Sequence, residues 1–456
     1  MPRSLAGETI GVLGLARSGA AAARLALARG ARVYASDMGD GPAARQAADA
    51  IRALGGDAET GGHDVAKLAA CDRIVLSPGI PPTAAILRDP ALAGVPVVPE
   101  IELAFEQLDA RVIGITGTNG KTTVTALLEH ILREAGRDAV AGGNIGTALS
   151  ELALRDPQPE IAVVETSSFQ LGMIRGFAPL IGVLTNLAPD HLDWYPDVEA
   201  YYADKANLFL NATVDSQWVL NAEDARARDL IGDAPGERFF FRVATQPDVG
   251  ERGGYLDPEG WLTLNVDGDE SLVPAYELRI LGPHNAANAL AAAVAARLAG
   301  ADAAAIGRAL RSFEAPPHRL QLVCENDGVL WINDSKATNI ASTRVAVRGM
   351  RRPTVLMLGG RHKGEPYTEL LPELDGNVRA VVAYGEAAAT VESDLAGHVP
   401  VERVDGAFEE AVARARALAR PGDAILLSPA CSSFDMFANY EERGRRFAEL
   451  ATEHRT

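Results

Sequence analysis

Short apolar segments alternate with helical segments at both ends of this chain. Residues 9–15 have the pattern of a strand, 19–29 of a helix and 31–36 of a second strand. The same alternation resumes after residue 317. Strands that alternate with helices are typical of parallel sheets covered by helices on both faces. The sequence therefore predicts an α/β protein, with Rossmann-like units at both ends.

The middle of the chain predicts a second kind of unit. Its apolar runs predict strands, and helical periodicity follows them. Residues 232–271 are polar and rich in Gly and Asp, which predicts antiparallel strands and turns. The strands are expected at 111–116, 160–164 and 180–184, and the helices at 121–135, 198–210 and, as an Ala-rich pair, between 285 and 310.

The chain is long enough for about three domains, at roughly 100–200 residues each. The best linker candidate is Ala315-Pro316-Pro317, because proline ends helices and stiffens connections. We expect an N-terminal domain at residues 1–99, a central domain with the character of a P-loop ATPase at 100–315 and a C-terminal domain at 316–456.

Composition excludes several classes of function. The net charge of −18 opposes general binding to nucleic acids or anionic membranes, which needs clustered Lys and Arg. No apolar run approaches the ~20 residues that span a bilayer. Three scattered cysteines do not make a disulfide framework or a thiolate metal site. We expect a monomeric cytoplasmic protein with small-molecule partners and no nucleic-acid or membrane partner.

Lysine is scarce in this sequence. Only five of the 43 basic residues are lysine, and four of them, Lys121, Lys205, Lys336 and Lys363, lie in the motifs described below. Arg and Lys are not interchangeable where a compact ammonium or a reactive amine is needed. Codon bias is the alternative explanation, but it does not account for this clustering in motifs.

A glycine-rich loop joins a predicted strand to a predicted helix at Gly114–Thr123. Its glycines let backbone N–H groups face a phosphate, Lys121 adds a point charge, and a Thr hydroxyl can bind Mg²⁺. Ile115 stands where the usual P-loop has its first glycine, so the tight turn starts at Gly117. The alternative is an ordinary Gly-rich turn, but the lysine and double threonine favour ATP binding.

Polar residues follow two further predicted strands. Glu165 directly follows one, and His191 comes shortly after the next. Ligands bind at the carboxyl ends of parallel strands, and a carboxylate there suits Mg²⁺. Taken alone, Glu165 could be a surface cap and His191 structural, and Lys205 on its predicted helix could be an ordinary surface lysine.

Together these segments resemble the Mur ligases, ATP-dependent amino-acid ligases of peptidoglycan synthesis, and most closely their glutamate-adding members. The likeness covers nearly the whole chain, and eight motifs in the family's order carry it. They are 117–123, Gly142-Gly143-Asn144-Ile145-Gly146, Glu165-Thr166-Ser167-Ser168-Phe169-Gln170-Leu171, His284-Asn285-Ala286-Ala287-Asn288-Ala289, Pro317-His318-Arg319, Asn333-Asp334-Ser335-Lys336-Ala337-Thr338-Asn339, Leu358-Gly359-Gly360 with Lys363, and 427–435.

The resemblance implies ATP as a substrate, two Mg²⁺ ions and a CO₂-derived carbamate on Lys205. Catalytic roles would fall to Lys121, Glu165, His191 and Lys205, and metal binding to Thr122, Glu165, His191 and carbamylated Lys205. The residues implied for ATP binding are Gly117, Thr118, Asn119, Gly120, Lys121, Thr122, Thr123, Asn285, Asn288, Arg319 and Asp334.

The other implied substrates are UDP-N-acetylmuramoyl-L-alanine (UDP-MurNAc-L-Ala) and glutamate, for which we expect the D enantiomer. They would be joined through an acyl phosphate. The N-terminal domain would bind the uridine diphosphate end and the C-terminal domain glutamate. Arg361-His362 stand where the family has smaller residues, which leaves the register of Lys363 open. The residues implied for substrate binding are Ser18, Asp37, Asn144, Ser167, Lys336, Thr338, Lys363, Ser433 and Phe434.

Three other functions are alternatives to this one. Folylpolyglutamate synthase or another Mur ligase shares the central motifs, but the first lacks such an N-terminal domain and no D-N-P-R motif of the diaminopimelate-adding ligase is present. An NAD-dependent oxidoreductase would use the loop Gly11–Gly19, whose spacing departs from G-x-G-x-x-G. A non-enzymatic nucleotide-binding regulator would not need Glu165, His191 and Lys205 together.

Overall fold

The computed structural model describes residues 4–80, 84–144, 146–190, 194–280, 282–315 and 317–453. The strands in these residues form three sheets of five, nine and six strands. Helices follow most strands along the chain. The predicted three-part α/β architecture is therefore confirmed.

The N-terminal sheet is parallel, in the order β3-β2-β1-β4-β5. β2 and β3 lie on one side of β1, whereas β4 and β5 lie on the other. A crevice therefore opens beyond the carboxyl end of β1, as in other doubly wound sheets. Its strands are β1 (Thr9–Leu13), β2 (Arg32–Asp37), β3 (Asp57–Thr60), β4 (Arg73–Leu76) and β5 (Val97–Pro99), and its helices α1 (Arg17–Ala28), α2 (Pro42–Ala53), α3 (Val65–Ala69) and α4 (Glu100–Phe105).

The central sheet runs β14-β13-β12-β11-β10-β9-β6-β8-β7. Its strands are β6 (Arg111–Thr116), β7 (Ala139–Gly143), β8 (Ile161–Glu165), β9 (Ile181–Leu184), β10 (Gln217–Asn221), β11 (Glu237–Arg242), β12 (Gly253–Leu256), β13 (Trp261–Asn265) and β14 (Asp269–Pro274). Its helices are α5 (Lys121–Glu134), α6 (Leu149–Ala153), α7 (Ser168–Leu171), α8 (Val198–Ala206), α9 (Ala225–Leu230), α10 (Pro283–Leu298) and α11 (Ala303–Ser312).

The expectation of antiparallel strands over residues 232–271 was partly wrong. Both β12–β13 and β13–β14 pair in that way, whereas β11 pairs in parallel with β10 and with β12. β11 lies between β12 and β10 in the interior of the sheet, and Phe239 and Phe241 are buried on one of its faces.

The register of the central sheet positions the phosphate loop. Ile115 on β6 pairs with Glu165 on β8, and Thr116 pairs with Leu184 on β9. The carboxyl ends of these three neighbouring strands therefore lie side by side. The loops that follow them meet at one edge of the sheet, where ligands of open parallel sheets bind.

The C-terminal sheet has the order β15-β16-β20-β17-β18-β19. All neighbours pair in parallel except the edge strand β15, which is antiparallel to β16. The strands are β15 (Gln321–Asn326), β16 (Val329–Asn333), β17 (Thr354–Gly359), β18 (Val378–Tyr384), β19 (Val401–Val404) and β20 (Ala424–Leu427), and the helices α12 (Ile340–Arg348), α13 (Leu371–Leu374), α14 (Ala388–Leu395), α15 (Phe408–Leu418) and α16 (Tyr440–Thr452).

Packing divides the chain into two compact units. The first comprises residues 1–275 and 287–310, and the second residues 276–286 and 311–456. One hydrophobic core of the first unit joins residues of the N-terminal part, such as Leu25 on α1, to residues of the central part, such as Leu149 on α6. The described helices include none with the length and apolar character needed to cross a membrane.

Candidate functional site

The phosphate loop connects β6 to α5 and requires two glycines. Gly117 (φ +139°) and Gly120 (φ +83°) have backbone conformations that other residues rarely adopt. A Cβ on Gly117 would lie 2.0 Å from Thr185 Oγ1, and one on Gly120 would lie 2.3 Å from Asn288 Oδ1. Asn288, predicted to bind ATP, therefore lies directly against this loop.

The loop after β9 holds the phosphate loop in place. The backbone N–H of Thr118 donates to the Asn186 carbonyl (2.8 Å) and that of Asn119 to Asn186 Oδ1 (3.0 Å). Thr185 Oγ1 donates to the Asn119 carbonyl (2.6 Å), and the Thr118 hydroxyl donates to the Ala188 carbonyl (3.0 Å). These bonds fix the loop by contacts within the protein itself, so its conformation is set before any nucleotide binds.

Two lysine amines meet at this loop. Lys121 Nζ donates to the carbonyls of Gly117 (2.9 Å) and Thr118 (2.8 Å), and Lys205 Nζ donates to the same Gly117 carbonyl (2.8 Å). Lys205 is 1% exposed, and its amine lies 4.6 Å from the centre of the Tyr201 ring. Burial, and then the charge of Lys121, lowers the pKa of Lys205 well below its usual value.

Glu165 ends β8 with its carboxylate buried. Oε1 accepts a hydrogen bond from Asn144 Nδ2 (3.0 Å), whereas Oε2 has no hydrogen-bond partner among the described residues. A buried carboxylate oxygen without a partner is costly unless a cation is near, and Mg²⁺ prefers oxygen ligands. Glu165 therefore fits a magnesium ligand. Thr122, the second residue of α5, is also buried.

The structure describes only some of the residues of the predicted metal site. No three His, Cys, Asp or Glu side chains in the described ranges cluster closely enough to bind a metal. His191 lies outside those ranges, so its predicted role has no structural account. Asp190, Glu165 and Asp204 all lie close enough to favour a charged Lys205. The surroundings of Lys205 are therefore rich in carboxylates.

Ser167 is engaged in local structure. It is the N-cap of α7, where its Oγ accepts from the Gln170 N–H (3.2 Å) and donates to Gln170 Oε1 (3.1 Å). Together with Asn144 it stands near the end of β8. Both remain predicted contacts of the muramoyl substrate.

The predicted uridine-binding residues lie at the crevice of the N-terminal sheet. Asp37 Oδ2 accepts from the Leu15 N–H (2.7 Å), and Oδ1 accepts from the Gly39 N–H (2.7 Å). Gly14 has φ +87°, and Ser18 follows in the first turn of α1. Asp37 thus holds the glycine loop to the end of β2.

The remaining predicted ATP contacts belong to the second unit, except Asn288. Asp334 follows β16 and accepts from the Leu320 N–H (3.1 Å) and from Ser428 Oγ (2.8 Å). Burial raises the pKa of Asp334 to about 7, although both hydrogen bonds and the charge of Arg319 act in the opposite direction. Asn285 is buried in the first turn of α10.

The predicted glutamate pocket lies at the carboxyl ends of the C-terminal strands. Ser433 is buried, whereas Phe434 is 63% exposed. Thr338 follows β16, and Lys363, which is exposed, follows β17. Burial raises the pKa of the Cys431 thiol to about 11, and the charge of Lys363 acts against that rise, which locates Lys363 near the Ser433 segment.

Two residues that the sequence did not single out shape this pocket. The Tyr440 ring lies 3.9 Å from Lys336 Nζ, and its carbonyl accepts from Ser335 Oγ (2.8 Å). Arg443, fully buried, donates to the Ser335 carbonyl (2.8 Å) and the Cys431 carbonyl (3.1 Å). The predicted roles of Lys336 and its neighbours therefore depend on α16, whose amphipathic pattern alone gives no such signal.

Three family models match the chain. They are the N-terminal domain of MurD-like Mur ligases (residues 8–99), the Mur ligase middle domain (115–296) and the glutamate ligase domain of Mur ligases (318–431). The order of these three models along the chain is the same as the order of the three sheets. This argues against an oxidoreductase built on the N-terminal glycine loop.

Relatives match over nearly the full length. The chain is 43% identical to the UDP-N-acetylmuramoylalanine--D-glutamate ligase of Salinibacter ruber, covering 96% of each chain. It is likewise 43% identical to the enzyme of that name from Anaeromyxobacter dehalogenans, covering 98% of each.

Solved structures share the fold. One is the UDP-N-acetylmuramate-alanine ligase of Thermotoga maritima (TM-score 0.61, 18% identity, 97% and 99% coverage). Another is a type C pseudomurein peptide ligase of Methanothermus fervidus (TM-score 0.60, 20% identity, 98% and 100% coverage). With three sheets in this order, a preformed phosphate loop and full-length relatives at 43% identity, the chain belongs to the Mur ligase family, the ATP-dependent amino-acid ligases of peptidoglycan synthesis.

Proposed function

We propose that this enzyme joins D-glutamate to UDP-MurNAc-L-Ala at the expense of ATP. One observation carries the proposal: Lys121 and Lys205 converge on the phosphate loop beside the buried Glu165. The full-length relatives that carry this activity in their names support the substrate pair and the D enantiomer.

The proposed chemistry activates a carboxylate. The alanyl carboxylate attacks the γ-phosphorus of ATP, ADP leaves, and an acyl phosphate forms. The glutamate amine then attacks the acyl carbon, loses a proton, and expels inorganic phosphate to leave an amide. Lys121 and the backbone N–H groups at 120–123 would hold the phosphates, and their preformed positions reduce the reorganisation that the charged transition state requires.

We propose two Mg²⁺ ions at this site. Thr122 and Glu165 would bind one, and the unpartnered Glu165 Oε2 supports this role. His191 and a carbamylated Lys205 would bind the other. When bound, these ions would offset the charge on the phosphate groups.

We propose that Lys205 carries a carbamate. An amine attacks CO₂ only in its neutral form, and burial favours that form of Lys205. Nζ forms a bond to the carbon of CO₂ and releases one proton. The product keeps one N–H, so its hydrogen bond to the Gly117 carbonyl can remain while an anionic oxygen ligand is gained.

The remaining assignments complete the proposal. Residues 1–99 would bind the uridine diphosphate end, 100–315 ATP and 316–456 glutamate. Asn285 and Asn288 would lie on the adenine, Asp334 on the ribose and Arg319 near the phosphates. All three substrates are soluble and the muramoyl substrate is linked to a nucleotide, which supports a cytoplasmic enzyme. We propose that it acts as a monomer.

Phosphate release tests the function directly. We expect release and an amide product, detected by mass, only when ATP, Mg²⁺, UDP-MurNAc-L-Ala and D-glutamate are all present. L-Glutamate should give neither, and the Lys121→Ala variant should turn over no ATP. Release without the muramoyl substrate, or an equal rate with L-glutamate, would contradict the proposal.

A further inference from the structure

Four aromatic side chains form a row beside the phosphate loop. The Trp194 and Phe169 ring centres are 4.6 Å apart, and Phe169 stacks on Tyr195 at 5.3 Å with an interplanar angle of 10°. Tyr195 in turn contacts Tyr201 edge to face at 5.4 Å. We call these four residues the aromatic row.

The inner end of the row touches the candidate active site. The Tyr201 ring covers the Lys205 amine, and its hydroxyl lies 3.3 Å from Thr118 Oγ1 of the phosphate loop. The Tyr195 hydroxyl donates to Asp204 Oδ2 (2.8 Å), next to Lys205 in the sequence. Burial raises the pKa of Tyr195 above its usual value, so this donor keeps its proton.

The middle of the row is tied to the end of β8. Phe169 lies in α7, which begins just after Ser167 and three residues beyond Glu165. The row therefore starts at the phosphate loop, passes the strand end that holds the candidate metal ligand, and reaches the surface at Trp194.

The outer end of the row is an exposed indole. Trp194 is 37% exposed, although it is held against Phe169. A large aromatic ring that is positioned by neighbours yet remains open to solvent is typical of a ligand contact, because Trp offers a large rigid surface at little entropic cost. The electron-rich face of an aromatic ring attracts the positively polarised C–H groups on one face of a sugar ring.

We propose that Trp194 stacks against the pyranose ring of the UDP-linked substrate. This inference rests on the proposed function, in which the pyranose lies between the pyrophosphate and the reacting alanyl carboxylate. The carboxylate must reach the phosphate loop at the inner end of the row. The sugar is only a few bonds from that carboxylate, so it would lie towards the outer end of the aromatic row. Trp194 is thus a specificity-determining residue for the sugar.

Steady-state kinetics provide the first test. Trp194→Ala should raise KM for UDP-MurNAc-L-Ala about tenfold, equivalent to about 1.4 kcal/mol of lost contact. KM for ATP and for D-glutamate, and kcat, should stay within about twofold, because the phosphate loop is not altered. Trp194→Phe, which keeps a ring, should restore most of the affinity.

Trp261 offers a matched control. It begins β13, is 36% exposed, and lies far along the sheet from the phosphate loop. Trp261→Ala should leave all three KM values unchanged. An unaltered KM for UDP-MurNAc-L-Ala in Trp194→Ala, or a rise in all three KM values together, would overturn the inference.

Fluorescence provides a test that does not depend on turnover. The other two tryptophans, Trp218 and Trp331, are buried. UDP-MurNAc-L-Ala should change the emission of the wild-type and Trp261→Phe proteins but not that of Trp194→Phe, and UDP alone should change none. A change that persists in Trp194→Phe would overturn the sugar contact. A wild-type protein that shows the change without forming an amide would refute the ligase proposal and leave the contact standing.

Discussion

The Gly117 carbonyl oxygen accepts hydrogen bonds from two lysine amines, Lys121 and Lys205. Two positive charges around one buried oxygen repel each other strongly in a medium of low dielectric. The repulsion is relieved if one amine is neutral. Burial lowers the pKa of Lys205 and so favours the neutral form of that amine. The amine whose pKa burial lowers is also the one proposed to react with CO₂.

Replacing Lys205 tests that role. Lys205→Ala should lower ligase activity on the order of a hundredfold or more, because it removes charge-stabilising groups beside the transferring phosphoryl group. Added acetate, a short carboxylate that fits the space left by the side chain, should partly restore activity. Lys67→Ala is the control, since Lys67 is exposed and paired with Asp57 on the N-terminal sheet. Near wild-type activity in Lys205→Ala would exclude the carbamate.

Gly117 allows a test of the phosphate-loop geometry. Gly117→Ala should lower kcat/KM for ATP about a hundredfold, because the new Cβ would collide with Thr185 Oγ1 and displace the loop. Gly136→Ala is the matched control: its φ is +77°, but no atom lies within 4 Å of the added Cβ. Gly136→Ala should lower the stability of the protein but leave kcat/KM for ATP unchanged. Equal kinetic effects in the two variants would show that backbone strain, not the collision, is responsible.

Sequence and structure differ in what they reveal about single residues. The scarcity of lysine pointed to Lys121 and Lys205, since a rare residue in a motif is visible in one sequence. Tyr201 and Arg443 could not be predicted, because their contacts with Thr118 and Ser335 join segments far apart in the chain. Phe434, in contrast, belongs to the predicted pocket but is mostly exposed.

At the scale of elements, the short helix α4 ties the N-terminal sheet to the central part. Glu102 accepts backbone hydrogen bonds from Arg175, Gly176 and Phe177. Glu100 accepts from the Ser150 N–H in the first turn of α6 (2.6 Å), while its other oxygen, Oε2, has no hydrogen-bond partner among the described residues. Burial raises the pKa of Glu100 to about 7.

The elevated pKa of Glu100 predicts a pH-dependent stability. A carboxyl group whose pKa is raised on folding stabilises the protein at low pH. This stabilisation is complete when the pH is below the pKa of the group in the unfolded chain, and it is lost as pH rises through about 7. Glu100→Gln keeps an acceptor for Ser150 but does not titrate. Between pH 5.5 and pH 8, the wild type should lose about 2 kcal/mol relative to this variant. Thermal unfolding at both pH values measures the difference, and a constant difference would contradict the prediction.

Element positions were largely predictable where apolar runs are continuous. The strand expected at 111–116 is β6 itself, and the helix expected at 121–135 is α5 to within one residue. β7 was missed because Ala139–Gly143 has small residues and no strong hydrophobic pattern. The parallel pairing of β11 was missed because strand direction depends on partners elsewhere in the chain.

At the scale of the whole molecule, the N-terminal sheet and the central part share one core. Arg29 donates to the Ala153 carbonyl (2.8 Å), and Arg73 forms ion pairs with Glu8 and Glu106. Residues on both sides of the expected boundary at residue 99 therefore pack into one compact unit. A single sequence did not predict this, because the apolar residues of each segment look sufficient for a core of its own.

A shared core predicts shared unfolding. Leu149→Ala should remove about 2–5 kcal/mol from the first unit. Amide hydrogen exchange should then accelerate in α1 as well as in α6, although α1 is more than a hundred residues away in sequence. The control, Leu356→Ala in the second unit, should leave α1 unaffected. Faster exchange confined to α6 after the Leu149 change would show that the N-terminal sheet unfolds separately.

Neither compact unit is one continuous stretch of chain, since residues 276–286 belong to the second unit and residues 287–310 return to the first. During synthesis the ribosome releases residues in order, and domains tend to fold as they emerge. The first unit cannot complete its packing until residue 310 has left the exit tunnel, whereas residues 276–286 must wait for partners translated later. The nascent chain therefore carries a short segment that stays without its final neighbours through much of translation.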